Sequence, residues 1–486
     1  MKHRITLTLC SLILSFSSPV WGAEQHLSLQ TILKTVLQQQ PDLALSQLQQ
    51  QQLRINQDAI QEQLDPRYSV SGTLSDEKSP TTSPFAPSGT TIGLLSGSIS
   101  KPLEDGSTLT ATASYTRAKT TYPNTVPTAF QASINPTYQH QIDLIYRYPL
   151  LRGHDNITYQ EQLKQNEASI KAATWQTRIA QEQWAAQAIQ LYYQLAANAI
   201  AMQISHDAVL RAKELLAYQK RREHFGLIEK ADRLQAEALL ASRQMDESNA
   251  QATWNSSQTS LNRLMQRDYD QPITLQPETI SMPDHHALNE LLDLAKKQRP
   301  LFHMLDAQEA ADFALLEQAR EGEQRQLDLI GQIGSRSLSG SALTAYGQGF
   351  TLKDRYISMG FELSDTLNQH DSRPNIQKAE LELERIHLQR LQGIENITTE
   401  ITNALTQYNN GLMTKEASQK RAKTEKKKFT AEMRRYRQGR SDTATIVQFE
   451  GELRTAELQA ALQDIQIQMA LYQLKLSTGS LLKELI

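Results

Sequence analysis

The sequence predicts an α+β protein of long helical hairpins carrying blocks of β-strand, with one plan written twice along 486 residues. Three observations lead there. Residues 158–224 and 375–437 keep the helical spacing of apolar positions over unusually long runs. Residues 68–153 switch to Ser, Thr, Gly and Tyr with period-two alternation, the pattern of half-buried strands. The chain also aligns with itself. At an offset of 213, Arg221, Arg222, Gly226, Ala231, Gln235 and Glu237 meet identical residues at Arg434, Arg435, Gly439, Ala444, Gln448 and Glu450. Leu240 with Leu453 and Leu261 with Leu474 continue that register, Pro41 pairs with Pro300, and Ala188 and Tyr192 match Ala404 and Tyr408.

Taken in order, residues 1–23 read as a secretory signal peptide. A basic start (Lys2, Arg4) precedes an apolar run, and Val20-Trp21-Gly22-Ala23 offers small residues for cleavage before Glu24. Cys10 follows Leu9 and lies too early in the apolar run for a lipidation site. Without it the mature chain has no cysteine, so disulfides and thiolate metal sites are excluded. Residues 24–266 form the first repeat, with a β insert at 68–149. Residues 267–287 form a proline-containing linker, and 288–486 form the second repeat, with its β insert at 327–364.

Within the first repeat the reading is helix 27–64, strands, helix 158–224, a turn at Gly226 and helix 231–266. The second gives helix 288–323, strands, helix 375–437, a turn at Gly439 and helix 443–477. At 1.5 Å per residue the longest helices would reach roughly 100 Å. The hydrophobic share is only 39%, and of about 54 glutamines many lie in the helical runs. A helix with so thin an apolar stripe must bury it against neighbours, as in a coiled coil.

The strands divide their faces cleanly. Ile357, Met359, Phe361 and Leu363 alternate with Ser358, Gly360 and Glu362, and Tyr138, Ile142, Leu144, Tyr146 and Tyr148 alternate with Gln139, Gln141, Asp143 and Arg147. Strands of about ten residues with one apolar and one polar or charged face suit a transmembrane barrel. So few strands cannot close a barrel alone, and lipid forbids open edges, so several chains must share one with cyclic symmetry. A net charge of −3 gives no pull on nucleic acid, and no nucleic-acid partner is expected.

The order and spacing of these features resemble the TolC-type outer-membrane efflux factors over essentially the whole mature chain. The residues that carry the likeness are Tyr436-Arg437-Gln438-Gly439 followed by Ile446-Val447, Phe225-Gly226-Leu227-Ile228, the strand exit Tyr148-Pro149-Leu150-Leu151-Arg152-Gly153, and the paired Pro41 and Pro300. The resemblance implies a homotrimer, a shared barrel in outer-membrane lipid and a long α-barrel across the periplasm. It also implies docking of a periplasmic adaptor, which links the channel to an inner-membrane pump of RND, ABC or MFS type. The location implied is the outer membrane of a Gram-negative bacterium, reaching into the periplasm, and drugs, metals and proteins are all possible cargoes.

By that resemblance, Gly226, Leu227, Ile228, Gly439, Arg440 and Ser441 at the helix tips are assigned to adaptor contact. From the residues alone the two glycines need only be left-handed helix caps. The family closes its periplasmic entrance with acidic residues six and nine positions after the second glycine, where this chain has Thr445 and Gln448. The expected constriction is therefore Asp442, Thr445 and Gln448, with Arg440 tethering neighbouring helices and Phe449 able to narrow the hole. The run Lys420, Arg421, Lys423, Lys426, Lys427, Lys428, Arg434 and Arg435 reads as a solvated helix face. The family pattern implies two strands per repeat and twelve per trimer, leaving 91–116 as an elaborated hairpin. Six per chain and eighteen per trimer is the alternative.

No enzyme reading finds support. H-E-x-x-H, G-x-S-x-G, a Walker loop and a helix-opening G-x-G-x-x-G are all missing. Asp284-His285-His286 has no further ligand nearby and reads as a surface loop, so no metal or cofactor is expected. Transport would be passive and gated at the tips. The competing reading is a periplasmic or surface coiled-coil scaffold or adhesin without channel activity, and membrane fractionation separates the two.

Overall fold

The computed structural model describes residues 26–78, 85–276, 287–351, 354–365 and 373–481, so the signal segment and Asp284-His285-His286 lie outside the described residues. Among the described residues eight strands and nine α-helices follow one another as β1 (His26–Leu27), α1 (Leu29–Gln39), α2 (Pro41–Gln61), β2 (Arg67–Glu77), β3 (Gly89–Pro102), β4 (Thr108–Thr121), β5 (Thr137–Pro149), α3 (Ile157–His224), α4 (Lys230–Leu264), β6 (Thr274–Leu275), α5 (Leu288–Gln298), α6 (Pro300–Glu323), β7 (Gln326–Ser339), α7 (Ala342–Gly349), β8 (Arg355–Ser364), α8 (Arg373–Arg437) and α9 (Thr443–Ser477). They form two compact units. One holds the chain up to Pro41 with 181–294 and everything from Thr399 onward, and the other holds 42–180 with 295–398.

The four long helices lie where the helical period placed them, but the helices expected at 27–64 and 288–323 are each broken once. Gln40 (φ −70°, ψ 122°) and Arg299 (φ −65°, ψ 127°) are extended. A proline ring disfavours helical backbone in the residue before it, while its own fixed φ suits the first position of the next helix. Pro41 and Pro300 thus end one helix and start another in both repeats. In the first unit α1 buries Leu29, Ile32, Leu33 and Val36 against Ala185, Ala188, Tyr192 and Leu195 of α3, with Leu261 and Leu264 of α4 and Tyr472 of α9. The repeated pairs Ala188/Ala404 and Tyr192/Tyr408 are all buried, so the self-similarity of the sequence marks helix-packing positions.

The described part of the linker, residues 267–276, carries structure of its own. Its residues 274–275 form β6, which pairs in parallel with β1, and Ile273 joins the core. Asn262 donates to the carbonyls of Tyr269 and Gln271, tying the start of the linker to α4.

In the second unit β2, β3, β4, β5, β7 and β8 form one antiparallel sheet in that order. Residues 91–116 are therefore full members of the sheet rather than a hairpin set apart from it, and the sheet has six strands among the described residues. Strand lengths of 10–14 residues match across the sheet. Along the register Tyr68–Ile99–Ala111–Leu144–Ile333–Ile357 a single row of apolar side chains crosses all six strands on one face. The opposite face carries a polar network. Arg147 bridges Asp328 (2.7 Å) and Glu362 (2.9 Å), Gln141 donates to Asp143 (2.7 Å), and the Tyr356 hydroxyl donates to Asp143. The edge strands β2 and β8 are exposed nearly throughout.

Every helix-bearing end of the sheet lies on one side. Arg67 follows the turn that ends α2, Pro149 leads towards α3, Gln326 follows α6 and Ser364 precedes α8, while Glu77, Gly89, Thr121, Thr137, Ser339 and Arg355 mark the other, loop-bearing end. The exit motif is locked by contacts across this helix-bearing end. Leu150 N–H bonds Leu327 O (2.7 Å), Arg152 reaches Gln326 (2.6 Å), and Gly153 N–H donates to the buried Glu321 carboxylate (2.7 Å). Gly106 must be glycine, because a Cβ there would stand 2.0 Å from Gly153 O. The eight-residue α7 falls inside the expected strand block 327–364. Its single apolar pair of turns is too short to show a helical period.

Candidate functional site: the paired helix tips

The tips are two helix–turn–helix joints with the same local chemistry. Helix α3 ends in Arg221, Arg222 and His224, and α8 ends in Arg434, Arg435 and Arg437, which place cations at the negative end of each helix. Gly226 (φ 66°) and Gly439 (φ 73°) are left-handed. Leu227 N–H reaches Arg222 O and Gly226 N–H reaches Glu223 O, while Arg440 N–H reaches Arg435 O and Gly439 N–H reaches Tyr436 O. These paired bonds are Schellman caps, and they satisfy the last carbonyls of both helices. Nothing lies within 4 Å of a Cβ built on either glycine, so Gly439→Ala would add backbone strain and no clash. The expected cost is about 1–2 kcal/mol, read as lowered hydrogen-exchange protection at the end of α8.

The residues assigned to adaptor contact lie where such contact is possible. Gly226, Leu227, Gly439 and Arg440 are exposed, with Ile228 and Ser441 partly so, and Phe225 adds an exposed ring (72%) beside the first turn. Arg440 forms no ion pair within the chain among the described residues.

The expected constriction residues take more local roles. Asp442 is the N-cap of α9 and accepts the Thr445 backbone N–H at 2.7 Å, a bond that holds its carboxyl below the usual carboxylate range. A depressed folded-state value stabilises the cap above the ordinary carboxylate pKa, and this is lost as pH falls through the folded value. Acid below about pH 4 is therefore expected to fray the first turn of α9 in the native protein, with Asp442→Asn flattening that response in amide exchange. Gln448 donates to Glu452 (2.8 Å), which in turn accepts from Lys428. Phe449 does not stand free, because the Lys428 ammonium sits 4.4 Å from its ring centre. Of the basic run, Lys420, Lys423, Lys426 and Lys427 are exposed, as a solvated face requires, while Lys428 is held between Glu425 and Glu452.

Two buried networks that the sequence did not disclose bind the tip helices together. In the first, Gln219 of α3 donates to the Tyr436 hydroxyl of α8 and to Thr443 Oγ1 of α9 (2.6 Å). Thr443 donates to Asp232 of α4 (2.7 Å), so its single hydroxyl hydrogen is used and Tyr436 is the donor of the 2.9 Å bond between them. Gln219, Tyr436 and Thr443 are all buried, and burial pushes the Tyr436 phenol up. In the second, Glu450 of α9, 2% exposed, takes Arg243 of α4 at 2.7 Å and Arg211 of α3 at 3.1 Å. Arg243 also reaches Asp246, which Arg454 joins at 2.9 Å. Leu215, Leu216, Ala236, Leu239 and Ile446 pack beside them. Each network draws its groups from three or four helices, so the two tip hairpins of a chain behave as one cross-braced module.

The fold that carries these tips is that of the TolC-type outer-membrane channels, with long helices and an antiparallel sheet in one chain. The chain is similar to the outer-membrane channel OprN, with a TM-score of 0.69 at 17% identity over 93% of this chain and 90% of that one. It is similar also to the Campylobacter jejuni CmeC outer membrane channel (TM-score 0.67, 15% identity, 96% and 91% covered). The open state of the Neisseria gonorrhoeae MtrE outer membrane channel gives a TM-score of 0.64 at 15% identity, over 93% and 89% of the two chains. No protein-family profile and no curated protein sequence matches the chain.

Proposed function

We propose that the chain is the exit duct of a tripartite export system in the outer membrane of a Gram-negative bacterium. Three copies join their sheets edge to edge, β2 of one against β8 of the next, into a barrel of eighteen strands in lipid. The helices extend into the periplasm, where the tips around Gly226, Leu227, Ile228, Gly439, Arg440 and Ser441 receive an adaptor tied to an inner-membrane pump of RND, ABC or MFS type. Transport through the duct is passive, with the pump supplying energy. The gate lies at the tips, at Asp442, Thr445 and Gln448, with Arg440 linking neighbouring chains in the shut state.

One observation supports this reading above the others. A six-stranded sheet exposes a continuous apolar face, keeps a hydrogen-bonded polar face, and leaves both edges unpaired. In water such a face and such edges invite aggregation, whereas a closed barrel in lipid satisfies both. Among the described residues no helix is long and apolar enough to cross a membrane.

The test is to purify the mature protein and add it to planar bilayers. Trimers that need detergent and open stepwise conductances are expected. A detergent-free, water-soluble monomer that opens no pore would leave the scaffold or adhesin reading in its place.

A further inference from the structure

Within its apolar face the sheet holds a buried polar spot, and α7 covers it. His140, Ser335 and Ser337 share the face of Ile142, Leu144 and Ile333 by register, near the loop-bearing end. All three are buried. Helix α7 folds back over them, so that Ser337 donates to Ala345 O and the His140 ring lies 5.1 Å from Tyr346 and 5.2 Å from Phe350, centre to centre. Gly349 is required there, since a Cβ would stand 2.2 Å from His140 Nδ1. With Ala345 and Gly349 turned to the sheet, α7 presents Leu343 (84% exposed), Tyr346 and Phe350 outward, and the apolar band is continuous again.

Beside α7 this band is hollow. A cavity of about 520 Å³ opens between Leu343 and Tyr346 on the helix and Val70, Leu95, Ala113 and Tyr115 on β2, β3 and β4. Its size falls within the range of ligand pockets and its lining is nearly all apolar. Gly97 and Ala113 are neighbours in register and form the floor, where larger side chains would fill the space.

Charge stands just beyond it. Arg117 and Lys119 continue the face of Ala113 and Tyr115 along β4 towards the loops, about 7 Å and about 14 Å past Tyr115 at the rise of a strand. Both are exposed, and neither forms an ion pair among the described residues. The nearest carboxylate on this face, Asp76, is two strands away in the row of Lys119 and accepts from Thr91 at 2.7 Å.

We propose that this is a lipid site: the hollow beside α7 takes an acyl chain, and Arg117 with Lys119 takes the phosphate of the same molecule. The occupant is a phosphorylated acyl lipid of the leaflet at the loop-bearing end. Apolar lining next to the bilayer core and cations one and two pairs of residues further out match the order of chain and headgroup in such a lipid. The site rests on the channel reading, because only a sheet set in a membrane offers the hollow to lipid.

Native mass spectrometry of the detergent-purified full chain tests it, with three probes added in turn. These are a synthetic hexa-acylated diglucosamine bisphosphate, its dephosphorylated counterpart, and inorganic phosphate. Retention of the phosphorylated lipid is expected, with the dephosphorylated form binding about tenfold more weakly and inorganic phosphate not retained. Arg117→Gln with Lys119→Gln should remove that preference. Leu343→Ala, which shortens the hollow's wall and keeps it apolar, should weaken both lipids alike. A protein that conducts normally but binds all three probes equally, or whose variants bind as the parent does, overturns the lipid site alone. A protein that neither enters membranes nor conducts overturns the site together with the channel reading.

Discussion

Alanine at position 450 is expected to destabilise the tip module by about 3–5 kcal/mol, the cost of stripping a buried ion pair of one partner. Glu450 lies between Arg243 and Arg211, each of which keeps only one longer contact to a second carboxylate, Asp246 (3.1 Å) and Glu457 (3.5 Å). The loss should appear as early exchange of the amides of α9 and the end of α3, ahead of the sheet. Removing both charges together, with Glu450→Leu and Arg243→Leu, should cost much less, because no buried charge then lacks its counter-ion. Equal losses in the two variants would mean that packing, not charge, holds the helices here. On the proposed reading Glu450→Ala also raises the resting conductance in planar bilayers, since it loosens the braces between the hairpins beside the gate.

The second large effect is expected from arginine at position 359. Met359 is 79% exposed in the middle of β8, on the apolar face between Ile357 and Phe361. An arginine on the lipid side of a barrel costs about 2–4 kcal/mol at the midplane, so Met359→Arg should sharply reduce folding into lipid vesicles. Ser358→Arg, one residue away on the polar face, should be tolerated and should alter ion selectivity instead. A soluble sheet would show the opposite order, because an exposed arginine is harmless in water. The pair of variants thus tests which solvent the face meets.

Much of this architecture was legible because its periods are long. Helical spacing sustained over more than sixty residues fixes α3 and α8, and strict alternation assigns the two sheet faces residue by residue. The prolines stand out as a repeated pair, yet the helical period runs through both positions. What breaks the chain is the residue before each proline, a purely local effect that an apolar periodicity running through it conceals. Helix α7 was invisible because two turns give no period. Its place is set by a polar spot of His140, Ser335 and Ser337 that exists only once β5 and β7 are in register.

The tip site was partly legible for the same reasons. Gly226 and Gly439 signal their turns by type and position, and the structure gives both the left-handed backbone expected. The braces are another matter. Glu237 and Glu450 occupy equivalent positions in the repeat, but Glu237 meets Arg233 on its own helix while Glu450 is buried between α3 and α4. Gln219, Asp232, Tyr436 and Thr443 are separated by up to 224 residues. Nothing in their spacing joins them, because the contact is made by packing between hairpins.

On the proposed reading, six strands per chain set the calibre of the cylinder that three copies would close. With strands about 4.8 Å apart and tilted by about 40°, twelve strands enclose a backbone circle roughly 24 Å across, and eighteen enclose one roughly 36 Å across. Side chains take a similar depth from both, so the free cross-section grows by several-fold rather than by half. A small folded domain would clear the wider mouth, while the narrower one admits an extended polypeptide or a solute. The selective step for bulky cargo would then fall on the periplasmic entrance and not on the mouth that opens to the surroundings.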